Sequence, residues 1–114
     1  AELTGDYNPL HIDHNYASTT SAGGQVVHGM LVASFVSTLI GMKIPGPGAL
    51  WNDFHVSWRK MIRIGDALKF TATITSVNVS LELITLEIKG VGVESNELYL
   101  DGSAKVMVMV KKKW

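Results

Sequence analysis

The residue types best suited to chemistry in this chain are concentrated in one short stretch, GDYNPLHID at positions 5–13. Asp6 and His11 stand five apart, with Asn8-Pro9 between them. Pro9 confines Asn8 to extended backbone, so the segment cannot run as one straight helix. A kinked loop can instead bring the Asp6 and His11 side chains towards one point. A carboxylate and an imidazole that share a water form a general acid–base pair, because each can titrate near neutrality when partly buried. The same residues are also ordinary turn material: Asp6 can be an N-cap or Asx-turn residue, and His11 a solvated loop histidine.

A second feature is VVHGM at 26–30, where an apolar helix is expected to begin. Unpaired backbone N–H groups and the positive end of the helix dipole converge at such a start. Gly29 has no side chain to keep a ligand away, so its N–H can hold a carbonyl oxygen that gains negative charge, as an oxyanion hole does. Read plainly, Gly29 serves only the backbone geometry of a helix entry. Ser37 lies eight residues on, about two turns along roughly the same face, where it can face the same site or bond its own backbone. His28 is expected to pack or hydrogen bond at the helix entry, within reach of a substrate. His14 and His55 have no partner pattern. His11, Asp13 and His14 do not form a cluster at metal-ligand spacing, so no metal is expected. Arg59, Lys60 and Arg63 suit either phosphate contacts or a solvated strand end, and Lys111, Lys112 and Lys113 read as a solvated tail.

Behind these residues stands a scaffold that the composition bounds. The 114 residues make one domain, 1–114, with 10 Lys plus Arg against 10 Asp plus Glu and a formal net charge of zero. Zero charge argues against nucleic acid as a partner. A hydrophobic share of 46% against 18% charged is too apolar for disorder. Low charge also favours burying part of the surface in an oligomer. There is no Cys, which removes disulfides and thiolate chemistry together. The opening AELTGDYNPLH has neither the basic start nor the apolar run of a signal peptide; it reads like the end of a helix, so further residues are expected upstream.

From Met30 to Met42 the only polar side chains are Ser34, Ser37 and Thr38. A helix so apolar all round should be a core helix surrounded by other structure, and it is too short for a membrane span, which needs ~20 residues. Pro45 and Pro47 stop it. Four strands are then expected at 50–59, 67–79, 83–93 and 98–111, with turns at 64–66 and 94–97 and a bulge or bend at Asp101-Gly102. Short connections favour antiparallel pairing. The ending KVMVMVK is apolar on both faces, which suits a central strand. One helix and four antiparallel strands imply an α+β fold in which a curved sheet wraps a helix. Its exposed edges call for an upstream strand or a second subunit.

TGDYNPLHID, then VVHGML about fifteen residues later, then GMKIPGPGALW and RIGD, together resemble the MaoC-like hydratase family, and within it the (R)-specific enoyl-CoA hydratases. The resemblance runs from residue 1 to about 110, with the first two motifs in the family's order and spacing. It implies a single hotdog fold, an antiparallel sheet around a central apolar helix, whose further N-terminal strand and short helix this chain lacks. Asp6 and His11 match the catalytic dyad that holds the added water, and Gly29 the residue whose N–H binds the thioester carbonyl. Ser37 matches a helix serine lining the site, and Asn8 the motif asparagine that shapes the loop.

The implied reaction is reversible syn addition of water to a trans-2-enoyl-CoA, giving an (R)-3-hydroxyacyl-CoA. The CoA thioester is substrate and no other cofactor is implied. A homodimer or dimer of dimers is implied too, without nucleic acid or a membrane span, in the cytoplasm or, in a eukaryote, the mitochondrion or peroxisome. In NDFHVSWRKMI the chain departs from relatives that commonly have a Gln and a Phe-x-x-Pro-like end; the bulky Trp51, Phe54 and Trp58 either reshape the acyl pocket or pack the core. Rival readings on the same fold are a dehydratase acting on acyl carrier protein, a thioesterase, and a non-catalytic acyl-binding subunit of a heteromeric dehydratase. The Asp6–His11 loop speaks against the last two.

Overall fold

The computed structural model describes residues 1–109; the Lys111–Lys113 tail and the last residues of the expected fourth strand lie outside them. In chain order the elements are α1 (Pro9–Ile12), α2 (His14–Thr19), α3 (Gly29–Met42), β1 (Ala49–Trp58), β2 (Leu68–Asn78), β3 (Leu83–Gly92) and β4 (Leu98–Val108).

The two short helices are set by local side-chain chemistry. Asn8 caps α1, its side-chain oxygen accepting from the Leu10 N–H at 3.1 Å, and Pro9 takes the first helical position, where no N–H is needed. Asp13 ends α1 and caps α2 by accepting from the Tyr16 N–H at 3.0 Å. Sequence periodicity gave no sign of either helix, because one turn is too short to show a period and stands only with caps and tertiary contacts.

The four strands form one antiparallel sheet in the order β1-β4-β3-β2. β4 is central, as expected. Its Leu100, Ala104 and Val106 meet Ile84, Leu86 and Ile88 of β3 in the core, together with Val32, Val36 and Ile40 of α3. Val32, Val36 and Ile40 recur every four residues, so one stripe of α3 lies on the sheet. Val36, Ile40, Leu86, Ile88, Leu100 and Val106 are fully buried, and each such side chain contributes roughly 1.5–3 kcal/mol of burial free energy. This is the expected α+β hotdog arrangement, a sheet curved about one apolar helix. No helix among the described residues is long and apolar enough to cross a membrane.

Two expectations need correction. The helix is not surrounded within one chain: Met30, Leu31, Phe35 and Met42 are exposed, Phe35 at 55%. A single sheet covers only one face of a helix, so among the described residues the opposite apolar face is left without a cover. Nor is there a bulge at Asp101-Gly102. β4 runs regularly there, with Gly102 opposite Val56 on one side and Ile88 on the other; the irregularities fall at Trp51/Asp53, Ile74/Ser76 and Gly90/Val91 instead. Gly102 answers a different need, since a Cβ on it would stand 2.0 Å from the His55 carbonyl oxygen.

That contact is with backbone, which cannot swing aside. Gly102→Ala should therefore destabilise the fold by about 2 kcal/mol or more, towards the upper end of overpacking penalties. Urea denaturation checks this, and a midpoint equal to that of the parent protein would refute the close-approach explanation.

Candidate active site

The loop from Gly5 to Asn8 is shaped by Asp6 itself, whose Oδ1 accepts from the Asn8 N–H at 3.2 Å. The Asx-turn reading of Asp6 therefore holds, and it leaves the second oxygen free for other work. His11 sits on α1 with its ring half-buried. Its Nδ1–H donates to the Val26 carbonyl at 2.7 Å, which fixes a proton on Nδ1, so that in the neutral ring the lone pair is on Nε2. A neutral imidazole held in this way is ready to act as a base.

The segment 22–28 that presents the Val26 carbonyl is itself anchored. The Val27 N–H donates to the Ile62 carbonyl at 2.8 Å, and the Val26 N–H to the Leu10 carbonyl at 3.2 Å. The Gln25 amide donates to the His11 carbonyl at 2.9 Å. From the loop after β1, Arg63 donates to the carbonyls of Gly24 at 2.8 Å, Gln25 at 3.1 Å and Ala22. One planar guanidinium thus serves three carbonyls at once, a fan that an ammonium cannot reproduce.

His28 completes the cluster. Its Nε2–H donates to the Asp6 carbonyl at 3.0 Å and lies 3.8 Å from Asp6 Oδ2. Its ring stacks on that of His11 with centroids 4.0 Å apart. Polar atoms of Asp6, His11 and His28 lie within 4.8 Å of one another, close enough for one water to touch more than one of them. Three such groups can also hold a metal in principle. Here Nδ1 of His11 and Nε2 of His28 already donate to backbone carbonyls, so a cation at those atoms would have to displace protons and break both bonds.

Immediately after His28, α3 begins without a side-chain cap. Its first internal bond runs from the Val32 N–H to the His28 carbonyl at 3.2 Å, so the preceding N–H groups, that of Gly29 among them, have no helical partner. A Cβ on Gly29 would lie 3.1–3.3 Å from the Trp58 indole. The indole therefore rests on the helix start. Gly29 and Trp58 line two adjoining cavities. The first, of about 710 Å³, also takes in His11, Arg63 and Tyr99. The second, of about 560 Å³, takes in Asp6, His28, Leu31 and Ser34.

Asp6, His11 and His28 thus meet at one place, Gly29 lines the cavities on either side, and Asn8 shapes the loop. Ser37 is exposed on α3 and lines neither cavity, whereas Ser34, one turn nearer the start, lines the second. Of the bulky aromatics only Trp58 reaches the site; Trp51 and Phe54 pack edge to face at 4.5 Å beside the core. His14 and His55 are exposed and outside both cavities.

The three basic residues expected for phosphate or solvent are all engaged within the chain. Arg59 binds Asp101 through two hydrogen bonds, at 2.8 and 3.3 Å, which raise its pKa further. Lys60 pairs with Glu97 and stands 5.0 Å from the Tyr99 ring centre. The hydrogen bond between Lys60 and Glu97 raises the lysine and holds the Glu97 carboxyl below its ordinary value. The reach of Arg63 to the carbonyls of Ala22, Gly24 and Gln25 is what sequence reasoning missed. A lone Arg in a turn carries no signal that it reaches carbonyls some forty residues back.

Residues 1–96 match the MaoC like domain family. The chain belongs to that family. Among its relatives, an (R)-specific enoyl-CoA hydratase of Rhodospirillum rubrum is 33% identical over 108 residues, which cover 95% of this chain and 74% of the relative. A 3-hydroxybutyryl-CoA dehydratase of Methylorubrum extorquens is 33% identical over 113 residues, covering 98% of this chain and 70% of that one. In three dimensions, the solved (R)-hydratase of Aeromonas caviae involved in PHA biosynthesis superposes with a TM-score of 0.88 at 31% identity, over 95% of this chain and 81% of that structure. This MaoC-like chain is accordingly an enzyme of the hydro-lyase class, to which these hydratases and dehydratases belong.

Removing the guanidinium should loosen the segment that presents the Val26 carbonyl to His11. Arg63→Ala is expected to cost about 1–3 kcal/mol, the penalty for leaving part-buried carbonyls unpaired, and Arg63→Lys to recover only part of it. Chemical denaturation of both variants measures the loss; equal stability in all three proteins would show that the clamp is ornamental.

Proposed function

We propose that this chain catalyses the reversible syn addition of water to a trans-2-enoyl-CoA, giving an (R)-3-hydroxyacyl-CoA. The observation that carries the proposal is the meeting of the Asp6 and His11 side chains beside the uncapped start of α3, where Gly29 lines both cavities. The names of the relatives at 33% identity support the choice of thioester and stereochemistry.

In hydration, Nε2 of His11 takes a proton from the water as its oxygen bonds to C3, while Asp6 accepts a hydrogen bond from the water's other hydrogen. The C2–C3 π pair moves towards the thioester, and the carbonyl oxygen gains enolate-like charge. The Gly29 N–H and the positive end of α3 stabilise that charge. The proton on His11 then passes to C2 on the face where the oxygen added, which restores the neutral imidazole and completes the addition of one water. Dehydration runs through the same steps in reverse.

The bare face of α3 supports a homodimer or a dimer of dimers as the working form, since Leu31 borders the second cavity and is exposed in one chain. An apolar patch beside the reacting groups would admit bulk water unless a partner covered it. Sedimentation equilibrium should accordingly give at least twice the mass of one chain. A strictly monomeric, fully active protein would exclude this assembly.

The reaction itself is tested with crotonyl-CoA, following loss of the enoyl-thioester absorbance. Asp6→Asn and His11→Gln should each lower kcat on the order of 10²-fold or more. If both variants keep the parent rate, the assignment of the dyad is wrong.

A further inference from the structure

We infer that His28 is a positioning residue for the acid–base pair: it holds Asp6 and His11 in one arrangement rather than contacting substrate itself. The inference rests on the reaction proposed above and adds a third residue to it.

Three observations point the same way. First, His28 is the N-cap of α3 and makes no capping bond. Ser, Thr, Asp and Asn are the residues that serve a helix start, so this imidazole answers some other need. Second, its Nε2–H is directed at the Asp6 carbonyl at 3.0 Å, with Asp6 Oδ2 3.8 Å away. It thereby ties the Asp6 loop, a stretch of exposed residues, to the start of α3. Third, its ring lies on the His11 ring at 4.0 Å with only 29° between the planes. That contact limits tilting of His11 about the bond it makes to Val26. One side chain therefore touches both members of the pair, and its own backbone leads directly into Gly29. The His28 side chain is only 19% exposed, in keeping with a group closed in between its neighbours.

A positioning role has a kinetic signature distinct from substrate binding. Misplacing a proton-transfer group by a fraction of an ångström slows the chemical step and leaves ground-state affinity nearly untouched. His28→Ala should lower kcat with crotonyl-CoA by roughly 10- to 100-fold and change KM by less than about twofold. His28→Gln places an amide N–H near where Nε2–H stood and should recover most of the rate. His28→Asn, whose amide falls short of Asp6, should not. In a His11→Gln background His28→Ala should cost less than about threefold, because the stacked group that transfers the protons is already disabled.

Parent-like kcat in His28→Ala would overturn the inference. So would a loss expressed mainly in KM, the absence of rescue by Gln, or a full multiplicative loss in the double variant. Should His28→Ala fail to fold, the comparison of Gln with Asn decides alone: equal rates in the two overturn the inference. An inactive Asp6→Asn beside a fully active His28→Ala defeats only the positioning role. A fully active Asp6→Asn defeats the assignment of Asp6 to the dyad, and a parent protein without activity on crotonyl-CoA defeats the reaction itself.

Discussion

The site depends on one hydrogen bond, from Nδ1 of His11 to the carbonyl of Val26. It sets which nitrogen carries the proton, and so whether the other can accept one. A backbone carbonyl suits this task because it has no proton to exchange and, once its segment is pinned, no freedom to turn away. The pinning is thorough. Ile62 holds the residue after Val26, Leu10 accepts from Val26 itself, Gln25 returns to His11, and Arg63 binds three carbonyls of the preceding turn. Much of what surrounds the site can be understood as support for a single acceptor.

The fold contributes to this by what it leaves undone as well as by what it packs. α3 gives one stripe to the sheet and leaves the other bare. Its start is likewise uncapped. Both are losses for the stability of an isolated chain. Both become assets in the reaction proposed above, where the helix offers free N–H groups to a thioester at one end and an apolar wall along its side. The Trp58 indole resting on Gly29 belongs to the same arrangement, since a Cβ there would press on the ring at 3.1–3.3 Å, tighter than ordinary contact.

Much of the scaffold was legible in the residues. The apolar run 30–42 announces the buried helix, though not which stripe of it meets the sheet, and alternation in β2 and β3 marks strands whose faces differ. Asp6, Asn8 and His11 stand out by type and spacing. What stayed hidden depends on distance in space. Nothing in the sequence shows that Arg63 reaches back to Ala22, that His28 stacks on His11, or that Gly102 faces a neighbouring carbonyl, because each is a contact across the fold. Ser37 shows the converse hazard. Helical spacing places it on a face, but which turn of that face meets a cavity is decided by the strands and loops around it, and among the described residues Ser34 takes that place. The short α1 and α2 escaped for a third reason, since they are held by caps and not by an apolar period.

The stretch that carries Asp6, Asn8 and His11 supplies almost nothing to the interior. Of α1 and α2 only Ala17 is buried, while the core is built from α3, β3, β4 and Ile62. Chemistry and cohesion are therefore borne by separate parts of the chain. Substitutions at Asp6 or His11 would leave the core that folds the domain intact. The same separation leaves the sheet's core positions answerable to apolarity and volume, with Gly102 the exception, where a neighbouring carbonyl admits no Cβ.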